Sequence, residues 1–584
     1  MRFFSTYLLR LLLLLGPLAS AQEPTTHFEQ SNGTETPTYW QGIQEFKTLD
    51  ARFPQIQMRA MGPTDSGEPL HLLLMSNDQD FDLPRQRQKG KCIVLIDNAI
   101  HPGEPDGVDA TLRLLRDLAT GKNGAKLPAN VLLAVIPFYN VDGAINRNSS
   151  SRANQNGPKE AGFRANARNY DLNRDFVKSD TRNSRSFAQL FHLVDPDLFV
   201  DTHVSNGADY QHVMTLIATQ HNKLGGELGA FLHDVLTPFL YSEMARKSFP
   251  MTPYVENFGP NIAEEGLRGF LDNPRYSTGY AALFQTIGFM PETHMLKPYA
   301  QRVEATYQLL RTFLDFAGKR GTQLRAVKQQ ARAAVKAQTD FALTWRPDTT
   351  RADTVLFRGY GFGYKPSEVS GQPRLYYDRS QPYEKKTRYF THFLPQNSVK
   401  KPAAYLIPQG WWNVAELLKL NGVAMRQLPA DTTLNVEVTR IDDYKSSPRP
   451  YEGHHPNSEV KTSVSRQALR FRKGDYLILT GQASDRYLVE MLEPGGPDSF
   501  FTWNFFDTVL QQKEGYSAYV FEDLAADLFR RDPALREALE KRRADDPAFA
   551  KNARAQLDFV YRNSRYNELE YLRLPVFRIP EPLR

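Results

Sequence analysis

Cysteine is almost absent: Cys92 stands alone in 584 residues. No disulfide can form within the chain, so the fold must rest on its core and on any metal it binds. Long apolar runs are scarce too. Leu11–Leu18 falls well short of the ~20 apolar residues that a membrane-spanning helix needs. It lies after Arg2 and Arg10 and before Ala19-Ser20-Ala21, the order of a secretory signal with a small-x-small cleavage site. Cleavage after Ala21 is expected, leaving a mature chain exported to a periplasmic or extracellular space. No cysteine at that site offers a lipid attachment point, and no stable membrane anchor is expected after cleavage. A strong excess of one charge is also missing. The net charge of +6 is mild for this length, and no Lys- and Arg-rich block stands out. Nucleic acid is therefore not expected as a partner.

Hydrophobic residues make up 41% of the chain and aromatics 12%, the composition of a folded protein. The length predicts two or three domains. After the signal, residues 22–37 are polar and rich in Thr, Glu and Asn, which predicts a flexible mature N-terminus. From Tyr39 onward, apolar runs at Leu70–Met75, Cys92–Ile96, Val131–Ile136, Leu198–Val200 and Ala282–Met290 alternate with helical stretches such as Gly107–Ala119 and Arg182–Leu193. Cys92 is expected as a buried strand residue. This alternation predicts an α/β domain whose sheet is buried on both faces. Residues 316–339 are expected as a helical connector, within a helical pattern spanning 301–338. Beyond it, 340–584 is expected to form an accessory α+β domain, with Ala403–Pro408, Trp412–Leu420 and Val423–Leu428 as strand, helix and strand.

Four separated fragments fit one site: His101-Pro-Gly-Glu104, Asn173-Arg174, Asp201-Thr-His203 and Pro291-Glu292. His101 and Glu104 follow one apolar run, with a tight Pro-Gly turn that lets both face one point; His203 follows another. Two imidazoles and a carboxylate are a complete protein ligand set for one catalytic zinc whose fourth position stays open to water, whose pKa then falls to about 7. Asp201 shares a strand face with His203 and is a candidate acceptor behind it.

The series resembles the zinc metallocarboxypeptidases of the carboxypeptidase A type. Their His-x-x-Glu looks like His101 and Glu104, and their later histidine ligand looks like His203. Between these, Arg164-Ala-Asn-Ala-Arg-Asn-Tyr-Asp-Leu-Asn173-Arg174 is similar to the family's arginine followed by Asp-Leu-Asn-Arg. Asp65-Ser-Gly-Glu-Pro-Leu70 resembles an early turn of that domain. Asn140-Val-Asp-Gly143 resembles its Asn-Pro-Asp-Gly segment, with Val141 in place of proline. The resemblance covers 38–315, and it implies that this α/β domain has a mixed central sheet with helices on both faces. The resemblance implies metal ligation by His101, Glu104 and His203, and Glu292 as general base after its apolar run. It implies a clamp for the substrate carboxylate at Arg174 with Asn173, since a guanidinium can bond a carboxylate bidentately. It implies an oxyanion-stabilising arginine at Arg164, with Arg168 competing for the role. The family's substrate-binding tyrosine resembles Tyr276, with Tyr280 as the rival.

The implied activity is that of an exported zinc carboxypeptidase acting on a peptide or peptide-like substrate with a free carboxylate. An amidase with the same site, acting on cell-wall peptides or acylated amino acids, is the alternative. A binding module that has lost the chemistry is disfavoured by the presence of all three ligands beside Glu292. The ligand set is full without His294. His454-His455, in the proline-flanked stretch 450–456, is expected as a solvated loop. The aromatic stretch Ser499–Asp507 is expected in a core, although such density could also serve a sugar or peptide platform.

Overall fold

In the strands β1 (Ile56–Pro63), β2 (Pro69–Met75), β3 (Cys92–Asp97), β4 (Val131–Ile136) and β5 (Leu198–Asp201), successive apolar residues face two different cores. Leu73, Val94 and Leu133 point into one, and Leu72, Ile93 and Leu132 into the other. A strand buried on both faces needs an unbroken apolar run, which is why β3, β4 and β5 are apolar almost throughout; β1, at the sheet edge, alternates Ile56, Gln57, Met58 and Arg59 and is mostly half-buried. The computed structural model describes residues 24–256, 259 and 261–582; the expected signal and its cleavage site lie outside them. Among the described residues no helix is long and apolar enough to cross a membrane.

The remaining strands of this half are β6 (His203–Ser205), β7 (Met214–Ala218), β8 (Thr252–Pro253), β9 (Leu267–Arg268) and β10 (Ile287–His294). Nine of the ten form one mixed sheet in the order β1-β2-β4-β3-β5-β10-β7-β8, with β6 also pairing β10. The centre is parallel: β4, β3, β5 and β10 run together, while β2 runs against β4 and β7 against β10. Cys92 is a buried residue of β3. The fold class is α/β, with a mixed central sheet, as expected.

Helices Asp106–Thr120 and Tyr299–Ala337 cover one face. The first begins with Asp106 and Asp109, favourable at the positive end of a helix, and stops at Gly121, whose φ of 76° suits glycine. On the other face, helices Arg182–Val194 and Trp412–Leu420 pack together. Residues from both halves of the chain therefore share one apolar core: Leu72, Leu95 and Phe199 with Ile407, Leu417 and Phe500.

Two boundaries differ from expectation. The N-terminal stretch is not a flexible tail over its described part. Thr26 and Glu29 form a capping box, Phe28 is buried against Tyr299, and Arg116 pairs with Glu29. Its polar composition reflects caps and ion pairs around a single apolar anchor. The helical connector does not begin at 316 either. One helix of 39 residues runs through Tyr299–Ala337, with Phe313, Phe316 and Leu324 in the first core.

The C-terminal half opens with β11 (Asp340–Pro347), β12 (Asp353–Pro366), β13 (Pro373–Phe390) and β14 (Phe393–Lys400). β12 and β13 form a long hairpin that carries β9 as a third strand, and β11 pairs β14. A six-stranded sheet follows from β15 (Ala404–Ile407), β16 (Arg426–Gln427), β17 (Thr432–Ser446), β18 (Asn457–Phe471), β19 (Tyr476–Leu479) and β20 (Arg573–Ile579), in the order β16-β19-β15-β20-β17-β18. The strand expected over 423–428 shrinks to the two residues of β16. Phe500, Phe501, Trp503 and Phe506 are buried, so the aromatic stretch is core.

Candidate active site

The carboxyl ends of β3 and β5 lie side by side, with Asp97 opposite Asp201 in parallel register. Loops leaving these ends carry polar side chains to one rim, where open α/β sheets place their ligands. After β3 the chain turns at His101-Pro-Gly-Glu104, and the Glu104 amide donates to the His101 carbonyl at 2.8 Å. A Cβ at Gly103 would fall 2.6 Å from Arg152 Nε, so glycine permits the close pass. After β5, Thr202 breaks the strand and hydrogen-bonds Asn98, which sends His203 toward the same point. β10 pairs β6 with Glu292 opposite His203.

His101, Glu104 and His203 are buried together, and their ligating atoms lie within 4.8 Å of one another. Both imidazoles present Nδ1 to the shared point. His101 Nδ1 stands 3.4 Å from Glu104 Oε1, and His203 Nδ1 stands 3.1 Å from Oε2. Both use Nε2 to donate to a carboxylate behind them, His101 to Asp171 and His203 to Asp201, each at 2.8 Å. Carboxylates in that position fix the tautomer and orientation of a metal-binding histidine. His101 Nδ1 is a buried polar atom without a hydrogen-bond partner, which a cation at the shared point would satisfy. The donor set of two nitrogens and a carboxylate suits zinc.

Charge is arranged to match. Burial alone would raise the Glu104 carboxyl, but Arg152, 2.6 Å away, and the two imidazoles hold it well below the usual carboxylate range. Burial likewise opposes a charge on Asp171, yet His101, Arg164 and Arg174 keep it ionised to low pH. Glu292 is the exception. It keeps part of its surface open to the cavity, but the surrounding protein desolvates its carboxyl and pushes its pKa up to about 7; nearby Glu104 adds to the rise, and His203 and Arg164 oppose it.

These groups line a cavity of about 650 Å³ with Arg152, Arg164, Asn173, Arg174, Tyr276 and Met290. Arg164 donates through Nε and Nη2 to Asp171, at 3.0 and 2.8 Å, which leaves Nη1 toward Glu104 at 3.6 Å. Arg168 turns away and donates to the Asp180 carbonyl. Asn173 and Arg174 follow Asp171 in a 3₁₀ turn capped by the Asp171 side chain. Arg174 lies over the Tyr276 ring, 4.6 Å from its centroid, and donates to Tyr451 at 3.1 Å. Tyr280 is buried away from the cavity and donates to Asn421. His294 is also buried elsewhere, bonded to the Ala208 carbonyl.

Four contributors escaped the sequence reading. Asp171 was visible inside the Asp-Leu-Asn-Arg segment, but nothing in the sequence paired it with His101. Arg152 sits in a polar stretch without a motif. Tyr451 and Glu452, some 280 positions beyond Asp171, arrive from the far half: Glu452 accepts from the Asp171 amide at 2.9 Å, separated by 281 residues. Their stretch is not a free solvated loop, because His454 donates to Asp180 and stacks over Phe505.

An α/β sheet with a buried His/Glu/His group at its strand ends, beside a desolvated carboxyl, defines a metal-dependent enzyme. Residues 43–222 match the model of the zinc carboxypeptidase family. That match, with relatives named as carboxypeptidases, supports a metallocarboxypeptidase enzyme. Carboxypeptidase 2 of Trichophyton equinum is 21% identical over 491 residues, covering 80% of this chain and 84% of that one. Carboxypeptidase 2 of Trichophyton rubrum is 21% identical over 445 residues, covering 74% of this chain and 76% of that one. Among solved structures, a metallo-carboxypeptidase from Burkholderia cenocepacia is similar with a TM-score of 0.37 and 16% identity, over 48% of this chain and 69% of that one.

Proposed function

We propose that this protein is an exported carboxypeptidase that removes C-terminal residues from peptides, with one zinc held by His101, Glu104 and His203. The observation that carries the reading is the convergence, in one cavity, of three metal-type donors, a carboxyl raised to about 7 and two arginines. When bound, zinc supplies Lewis-acid polarisation and acidifies a water near neutral pH. The chain's own residues do the rest.

Arg174 binds the substrate's terminal carboxylate. Its Nε and Nη1 are held by Tyr451 and the Asn173 carbonyl, so the guanidinium plane is set before substrate arrives. Asn173 is itself fixed, accepting from the Ser277 amide at 3.1 Å. Tyr276, beneath Arg174, covers the clamp. Arg164, anchored on Asp171, offers Nη1 to the carbonyl oxygen as negative charge develops on it. Glu292 takes a proton from the attacking water and returns it to the amine that leaves, so its carboxyl must cycle between charged and neutral forms. A value near 7 suits both halves of that task. The 38–315 and 340–584 units are proposed as catalytic and accessory domains respectively.

The test is mass spectrometry of a mixed peptide library incubated with residues 22–584, with and without a zinc chelator. Chelator-sensitive ladders shortened from the C-terminus are expected. A library left intact by zinc-loaded protein would sink the peptidase reading, and cleavage of acylated amino acids or cell-wall peptides would then identify an amidase.

A further inference from the structure

A second group of nitrogen donors lies behind β7, outside the proposed catalytic ligand set. His221 follows β7 at the start of helix His221–Leu224, and His233 sits on the π-helical turn Leu232–Leu236. Asp353 opens β12, and His392 follows β13. Ligating atoms of the three histidines lie within 4.8 Å of one another, and theirs is the only other such group of three among the described residues.

The distances resemble those around a bound ion. His221 Nε2 and His392 Nδ1 are 3.3 Å apart. Two nitrogens bound to one tetrahedral zinc at 2.0–2.1 Å stand about 3.4 Å apart. His392 has a carboxylate on the nitrogen away from His221, and His233 has one on each nitrogen, so a cation bound to His233 would share one of those two carboxylates. Asp353 lies 2.9 Å from His233 Nε2 and 3.2 Å from His392 Nε2, and Asp234 lies 2.6 Å from His233 Nδ1. Carboxylates behind imidazoles are the usual outer shell of a histidine metal site. Two carboxylates also balance a dication, which would take the place of the proton they favour on His233. Without one, three imidazoles with ring centroids 4.4 to 5.5 Å apart gather at one point with few donors to share.

We propose that His221, His233 and His392, with Asp353 bridging two of them, form a second divalent-cation site that fastens the β12–β13 hairpin to the helical segment after β7. Three imidazoles select zinc-type transition metals over magnesium or calcium, which require oxygen donors. The ion sits where the chain is already drawn together: Gln220 donates to the Thr391 carbonyl, and the Phe393 amide to Asn222. It also has a position relative to the main site. His221, His233 and Asp353 line a cavity of about 310 Å³ that shares Ile217, Tyr254 and Phe270 with the proposed active-site cavity. The site is structural, and closing it steadies the wall between the two cavities.

The test counts metal. Full-length protein without a histidine tag is equilibrated with micromolar Zn²⁺, desalted, and assayed by plasma mass spectrometry. Two zinc ions per chain are expected in the wild type, one in His392→Ala, one in His203→Ala and none in the double variant. Zn²⁺ should still raise the melting temperature of His203→Ala, and not that of the double variant. One zinc in the wild type, lost in His203→Ala and kept in His392→Ala, overturns the proposal. Two zinc ions in both wild type and His392→Ala overturn it as well. If His392→Ala fails to fold by circular dichroism, His233→Gln replaces it, and the wild-type count still decides. Loss of zinc from His203→Ala bears on the catalytic site alone, so the two readings fail separately.

Discussion

Glu292 and Glu104 lie in the same cavity and titrate in opposite directions because their neighbours differ. Glu104 faces a guanidinium and two imidazoles; Glu292 faces mostly desolvation. A general base works as the carboxylate, so activity should rise with pH as Glu292 loses its proton. Burial places that step at about 7 against an ordinary 4.5, and a cation beside it pulls it down. The acid limb of kcat/KM is therefore expected between those values, and a limb below 4.5 would remove Glu292 from the role. Glu292→Gln should keep zinc by metal analysis and lose roughly 10²- to 10⁴-fold in kcat. Arg174→Ala should weaken cleavage of free-acid peptides by about 10- to 100-fold, the size of a lost charge-assisted hydrogen bond, and leave C-terminally amidated ones nearly unchanged. Equal losses on both would make Arg174 structural. At this scale the sequence was most legible: His101, Glu104, His203 and Glu292 were picked out by type and order, and they meet. What it concealed were partners held by hydrogen bonds across space, Asp171 on His101 above all.

At the scale of elements, the connection 447–456 between β17 and β18 reaches back to the first half of the chain. Tyr451 holds Arg174, Glu452 holds the Asp171 amide, and Gly453 passes Tyr170 so closely that a Cβ would meet its hydroxyl at 2.3 Å. Trp503 stacks beneath Tyr451, and Arg275 lies over Trp503 while paired with Asp498. The far half thus builds one wall of the proposed carboxylate clamp. Tyr451→Phe deletes a single hydroxyl and should raise KM for free-acid peptides a few-fold, about 1 kcal/mol, with kcat and zinc content kept. An unchanged KM would show that Arg174 needs no such support. The central strands β2, β3, β4, β5 and β10 were readable because burial on both faces demands unbroken apolar runs; β1 and β7 at the flanks were not. The long hairpin β12–β13 was not, because its exposed faces carry charge and turn-like residues that read as breaks.

Across the whole molecule, the second core joins Leu72, Leu95 and Phe199 of the first sheet to Ile407, Leu417 and Phe500 of the far half. Helix Trp412–Leu420 brings Val414, Leu417 and Leu418 to that junction, all buried. Cutting the chain after 339 would expose this apolar surface, which soluble chains seldom leave uncovered. A fragment of residues 24–339 is expected to aggregate, while the full chain unfolds in one cooperative thermal transition. A soluble, zinc-binding fragment with its own sharp transition would show the halves to be independent. Division of the chain at 315/316 followed the extent of the family resemblance, but one helix of 39 residues crosses that point and packs on the first core along much of its length.

Residue chemistry and local pattern were enough to determine the α/β class and to single out His101, Glu104, His203 and Glu292, which the fold brings to one cavity, because those readings depend on residue type, spacing and apolar periodicity within short segments. Tertiary structure alone put Arg164 and Tyr276 on the cavity and turned Arg168 and Tyr280 away from it, because each pair differs only in which way a turn or helix points. It also brought Tyr451 and Glu452 to the clamp and gathered His221, His233 and His392. Those meetings arise from long-range packing, and no local pattern carries the distance between residues hundreds of positions apart.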